Sequence, residues 1–404
     1  MPPFSLGLEE RGSDCGFPAT PCGAANPPAV AESDGIRYVV RSSIHQCGSP
    51  GMHVFLLLIM LLLGRTSSGP GPDSLPHATV LLDQEARQLV IELPPVEVPA
   101  ARGDTEAMVG LPLCQLHVPV NVSVHSSHVE VVDGSGHALP RTLLHHFNLS
   151  DPDHRELFLP IGLHLLAASR ETPTITVPRF LFGLPLERGQ RLIAGAMLGN
   201  ESAQAYHGVR VRLVLRYVPG GRPWPLYRAY PWAIDVQYPL GRPPSGSKAF
   251  DLPPGRTERF WEGSPAIAGT ILGLGGHLHD FGVSLELKDM TSGQVLWHGT
   301  PVTDAAGRII TFPLARLYNW HRLGVHLVPA HRYRLTAVYD NHTGRPIQDG
   351  GMGAVAGLFL PDHGATWPPV DVRDTLYQQD LAATIRSGSG DMMGNMMMEH
   401  HADP

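Results

Sequence analysis

His277 and His279 stand one residue apart in the stretch GGHLHDFGVSLEL, residues 275–287. Successive side chains of an extended chain point to opposite faces, so both imidazoles emerge on one side while Leu278 faces the other. That is the geometry of a metal pincer. Other stretches offer donors of the same kind: TLLHHFNLSDPDH carries the adjacent pair His145 and His146, AMLGNESAQAYHG carries Met197 and His207, and YDNHTGRPIQDGGMGAVAGLFLP carries His342 and Met352. Neutral imidazole suits copper and zinc, and a thioether in the set shifts the choice to copper. Two imidazoles and a weak thioether also leave an open coordination position, the feature that separates a catalytic metal from a structural one. A zinc hydrolase would need a third carboxylate or histidine and a general base, and GGMGAVAGLF supplies neither.

The residues around the pincer admit two readings each. Asp280 either orients a ligand histidine from behind or is an exposed carboxylate at a strand end. Gly275, Gly276, Gly350, Gly351 and Gly353 either let backbone approach closely or adopt positive φ beside the ligands, or simply make turns. The remaining histidines, among them His125, His128, His154, His164, His298, His326 and His331, share no spacing and read as surface residues.

The elements that must position these groups read as strands. The chain has 404 residues, few charges, 44 Gly and 39 Pro, which fits short strands and frequent turns better than long helices. Its net charge of -7 is spread out and no basic stripe appears, so nucleic acid is not an expected partner. ATVLLDQEARQLVIEL reads as a hairpin, and Val209, Val211, Leu213 and Leu215 alternate with Arg210, Arg212 and Arg216 as in a half-exposed antiparallel strand. The segment PGGRPWPLYRAYPWAIDVQYPLGRPPSGSK reads as a linker between a first domain at 75–220 and a second at 221–375. VDVRDTLYQQDLAATIR is the strong helix candidate, and residues 376–404 read as a flexible tail ending in SGSGDMMGNMMMEHHADP.

The apolar run Val54–Leu63 is too short to cross a bilayer and right for the core of a secretory signal, which places a signal peptide at 52–68 and a secreted mature chain. Residues 1–51 lack periodicity and read as an overextended gene start, with a disordered leader before a signal anchor as the alternative. Cys114 is then the one cysteine of the mature protein. Acceptor patterns for N-glycosylation occur at Asn121, Asn148, Asn200 and in DNHTG.

In this order, HH, then HxH, then GGMG, the residues resemble the ascorbate-dependent type II copper monooxygenases, the family of peptidylglycine alpha-hydroxylating and dopamine beta-monooxygenases. The resemblance implies an all-β chain of two tandem antiparallel jelly-roll-like sandwiches, each holding one copper. It implies that His145 and His146 belong to an electron-storing site, and that His277, His279 and Met352 bind the copper that activates dioxygen to hydroxylate a C–H bond. Ascorbate or a similar reductant is the implied co-substrate and a small molecule the implied substrate. Where the family carries the third histidine of its first site this chain has Met197, with His207 as the alternative, and a thioether there weakens the site as an electron donor. The family's substrate-binding arginine, two residues before the pincer, is here Gly275, so a peptide carboxylate is not the expected handle. The competing expectation is a copper-handling protein that kept both sandwiches and lost electron transfer.

Overall fold

A computed structural model describes residues 29–33, 36–41 and 75–388, except positions 104, 171, 173, 222, 239–247, 306 and 320. The expected signal peptide at 52–68 and the Met/His-rich stretch beyond Gly388 lie outside the described residues. Within them the chain is all β apart from a 3-10 turn at Arg141–Leu143 and the helix Thr375–Gly388. None of the described helices is long and apolar enough to cross a membrane.

The first sandwich packs two sheets. One runs in the order Thr79–Asp83, Gln88–Glu92, Tyr206–Pro219, Val122–Val132, Phe182–Leu186, and the other runs Gly162–Ser169, Leu144–Arg155, Arg191–Asn200, Ala107–Gly110. The alternation expected around residue 212 is present: Val209, Val211 and Leu213 are fully buried, while Arg210 and Arg212 turn outward onto Glu92 at 3.7 and 2.5 Å. Each such aliphatic side chain contributes about 1.5–3 kcal/mol on burial, so period-two patterning decides which face of the strand is core. Residues 29–33 and 36–41, read from sequence as part of a leader, form a hairpin whose second strand pairs parallel with Thr79–Asp83.

The second sandwich repeats the scheme. Tyr230–Asp235, Gly353–Pro361 and Gly269–Leu278 form one sheet, and Gly255–Gly263, Tyr333–Asn341, Gly282–Asp289 and Val295–Gly299 form the other. The two sandwiches share a device at matching places. Asn200 and Asn341, each 1% exposed, end a core strand and donate their side-chain amides to backbone carbonyls: Pro99 and Gln204 for the first, Leu252, Pro253 and Arg345 for the second. Their Oδ1 atoms accept from Ser202 and Thr343. Two of the glycosylation patterns are therefore buried structural asparagines.

The expected linker is not free chain. Tyr227–Arg228 pairs with Phe182–Leu186 of the first sandwich, and Tyr230–Asp235 is already an edge strand of the second. Phe158 of the first sandwich sits among Trp232, Trp261 and Tyr333 of the second, with ring centres 5.7 to 6.1 Å apart. Beside it the buried Glu156 carboxylate accepts from the His164 backbone and ring within the first sandwich and from the Ala233 N–H of the second, so its oxygens are hydrogen-bonded on both sides of the junction. The helix, expected to belong to a flexible tail from 376, instead docks Tyr377 Oη on the Pro152 carbonyl at 3.0 Å. Cys114 is buried, and burial pushes its thiol up to about 11, which makes it a packing residue.

Candidate metal centres

Adjacent residues of a regular strand cannot share a face, yet His145 and His146 do. Their strand Leu144–Arg155 pairs His146 with Met197 and Leu144 with Leu198, which leaves His145 as an extra residue in a β-bulge. Leu144 and Phe147 on either side are both fully buried, so the two core positions are three apart and both histidines turn away from the core. Their ring centres lie 5.4 Å apart. A metal about 2.0 Å from an imidazole nitrogen is about 3.1 Å from the ring centre, so two rings at this separation fit one ion seen under about 120°. His145 is exposed and His146 half-buried. Burial, then the neighbouring His145, lowers the His146 pKa to about 4, which keeps its lone pair available at neutral pH.

The register sets the two candidates for the third position apart. Met197 is the direct cross-strand partner of His146, whereas His207 lies on the other sheet, exposed and bonded to Glu97 at 2.5 Å. On the far side of Met197 the strand Ala107–Gly110 adds Met108, whose sulfur leans over Gly199. Sequence alone did not draw attention to Met108, because the four-residue strand AMVG has no donor pattern of its own.

At the second centre His277 lies at the end of the strand Gly269–Leu278 and His279 just beyond it, with ring centres 5.5 Å apart and planes at 90°. His277 is exposed and lies opposite Ala354, and Leu278 lies opposite Gly353. The next cross-strand pair would be His279 with Met352, and there the ladder opens around the phenol of Tyr339. Its oxygen accepts from the N–H of His279 at 3.1 Å and of Met352 at 2.9 Å, and its proton goes to the Met352 carbonyl. Tyr339 is fully buried, and desolvation raises its pKa to about 12, so it remains a donor. Nothing in the spacing of the histidines points to this residue, since it comes from the opposite sheet.

His279 is half-buried, and burial lowers its pKa, opposed by a hydrogen bond to the backbone carbonyl of Asp349. That bond fixes one ring nitrogen as donor and leaves the other as an acceptor, the form a metal ligand requires. Asp280 does not orient the ring: its Oδ1 accepts from the Ile309 N–H at 2.9 Å and holds a neighbouring loop. His342 packs edge-on against Phe281, with ring centres 5.1 Å apart. The glycines serve close approach and not positive φ. A Cβ on Gly276 would come within 2.7 Å of Leu285 and Phe312, and one on Gly353 within 2.6 Å of Ala337. The left-handed residue of the GGMG loop is Asp349, at φ 48°.

Among the described residues no three His, Cys, Asp or Glu side chains gather at metal-binding spacing. The other histidines are largely paired with acids: His154 with Asp151, His164 with Glu156, His326 with Asp362 and His331 with Asp289, at 2.7 to 3.0 Å.

No protein-family model matches the sequence, and no curated protein matches it. Among solved structures, the major capsid protein P2 of bacteriophage PM2 is similar over 69% of this chain and 100% of its own, at 10% identity and TM-score 0.34. PNGase F, a glycosylasparaginase from Flavobacterium meningosepticum, is similar over 70% of this chain and 98% of its own, at 9% identity and TM-score 0.35. At such values neither likeness speaks to ligand or chemistry, and the assignment as an all-β double sandwich rests on the strands themselves.

Proposed function

We propose that this protein binds two copper ions and acts as a copper-dependent monooxygenase, hydroxylating a C–H bond of a small molecule with dioxygen and a reductant such as ascorbate. The observation that carries the reading is the HxH pair, 5.5 Å apart at a strand end, with Met352 tied to the same phenol as His279. His277, His279 and Met352 would hold the ion at this centre, and His145, His146 and Met197 at the other. Copper with an open position supplies dioxygen binding and one-electron transfer. The chain's own contribution is positional: the Asp349 carbonyl fixes the His279 tautomer, and Tyr339 holds the backbone of His279 and Met352 in register. The floor beside His277 is small, with Ala354 and Ala356 on the same outer face, Ala356 exposed, and Leu314 leaning over Gly275. Such a floor suits an apolar substrate.

A copper-handling role is the second reading, favoured by Met197 standing directly opposite His146. The test is copper stoichiometry and ascorbate-driven oxygen uptake on the secreted chain and on His277→Ala. Two coppers and reductant-dependent uptake lost in the variant are expected. Two coppers with no uptake in the parent would move the protein to the handling role, and no bound copper would end both readings.

A further inference from the structure

The first centre holds more sulfur than its HH motif announces. Met197 lies in the strand between Leu144–Arg155 and Ala107–Gly110, opposite His146 on one side and Gly110 on the other. Gly199, two residues on, faces the same way and is paired with Met108. Met108 and Met197 are therefore diagonal neighbours, about 7–8 Å apart at the backbone and within reach of two long side chains. A Cβ at Gly199 would stand 3.2 Å from the Met108 sulfur and closer still to a Glu106 carboxylate oxygen, so these two side chains fill the space above Gly199. The bulge carrying His145 falls between the pairs at Met197 and Leu198, on the strand next to Met197, and its ring centre lies 5.4 Å from that of His146.

We propose that Met108 is the fourth ligand of the first copper, which is held as Cu(I) by His145, His146, Met197 and Met108. Two imidazoles and two thioethers make a soft, closed set that favours the cuprous ion and leaves no position for dioxygen. Copper at this centre is retained in one oxidation state, and reductant meets the His277 centre directly. The inference rests on the two-copper reading above and specifies the chemistry of one of its sites. Glu106, a hard carboxylate, would serve Cu(II) and is not needed for Cu(I).

The test uses full-length secreted protein in a His277→Ala/His279→Ala background, so that bound copper reports the first centre. X-ray absorption at the copper edge should show an air-stable Cu(I) edge and two sulfur neighbours, falling to one in Met108→Leu. Competition with bicinchoninate should show Cu(I) binding weakened on the order of tenfold by Met108→Leu and unchanged by Glu106→Gln. Copper bound with the same single-sulfur shell whether or not Met108 is present overturns the ligand assignment and leaves the two-copper reading standing. Copper absent from this background but present in the parent overturns the two-copper reading itself. Thermal melts of each variant separate loss of a ligand from loss of fold.

Discussion

The phenol of Tyr339 meets both backbone polar groups of Met352, accepting its N–H at 2.9 Å and donating to its carbonyl. The same oxygen takes the N–H of His279 at 3.1 Å, so one buried side chain from the opposite sheet ties together two candidate ligands on separate strands. Tyr339→Phe leaves these three backbone groups unpaired. It should lower stability by about 2–3 kcal/mol and weaken copper binding at the His277 centre, with the His145 centre unaffected. Urea unfolding and separate Cu(I) titrations of the two centres measure this. Equal weakening at both centres would show a global effect instead of a local clamp.

His145 is exposed and bulged, so His145→Ala should keep stability within about 0.5 kcal/mol while removing one copper. Elemental analysis beside a thermal melt decides it. Two coppers retained by a well-folded variant would remove His145 from the ligand set.

The Asp151–His154 pair, 2.7 Å apart, makes stability depend on pH. The hydrogen bond to Asp151 holds His154 above its ordinary 6.5. Burial pushes Asp151 up, but bonds from His154 and Gln190 outweigh it and leave the carboxyl below its ordinary 3.8. The His154 contribution is complete below about pH 6.5 and fades as pH rises through the raised value, and the Asp151 contribution is complete above about pH 4 and fades in acid. Asp151→Asn should therefore lower Tm most near pH 5–6 and less above about pH 8. A Tm gap that stays constant from pH 5 to 9 would falsify the pairing as the cause.

Asn341→Ala removes an amide that serves three carbonyls in the core, and should cost about 2–3 kcal/mol, as should Asn200→Ala in the first sandwich. Because both amides are buried, neither asparagine should carry a glycan when the chain is secreted from a glycosylating host. Peptide mass mapping checks this, and a glycan found at either position would mean that its turn opens before or after folding.

What the sequence determined by itself is what depends on short-range periodicity. Alternation at Val209–Leu215 set the core face of that strand, and HxH spacing set two imidazoles on one side, because side-chain direction in an extended chain follows position alone. The all-β class follows from the same patterning. Of the expected leader, signal and tail, only the strands at 29–33 and 36–41 and the helix Thr375–Gly388 fall on described residues.

Only the tertiary structure decided the rest, since it depends on which strands lie side by side. The order Leu144–Arg155, Arg191–Asn200, Ala107–Gly110 places Met197 directly opposite His146 and Met108 one strand further on, while His207 lies on the other sheet, and these residues are far from one another in the chain. The bulge at His145 is set by Leu144 and Phe147 both needing the core, a packing demand that the letters HH do not display. Tyr339 entered from the facing sheet, and Asp280 was taken by Ile309 because a neighbouring loop supplied an unpaired N–H. Spacing along a strand is local and can be read from sequence, whereas register between strands is fixed by the whole core closing at once.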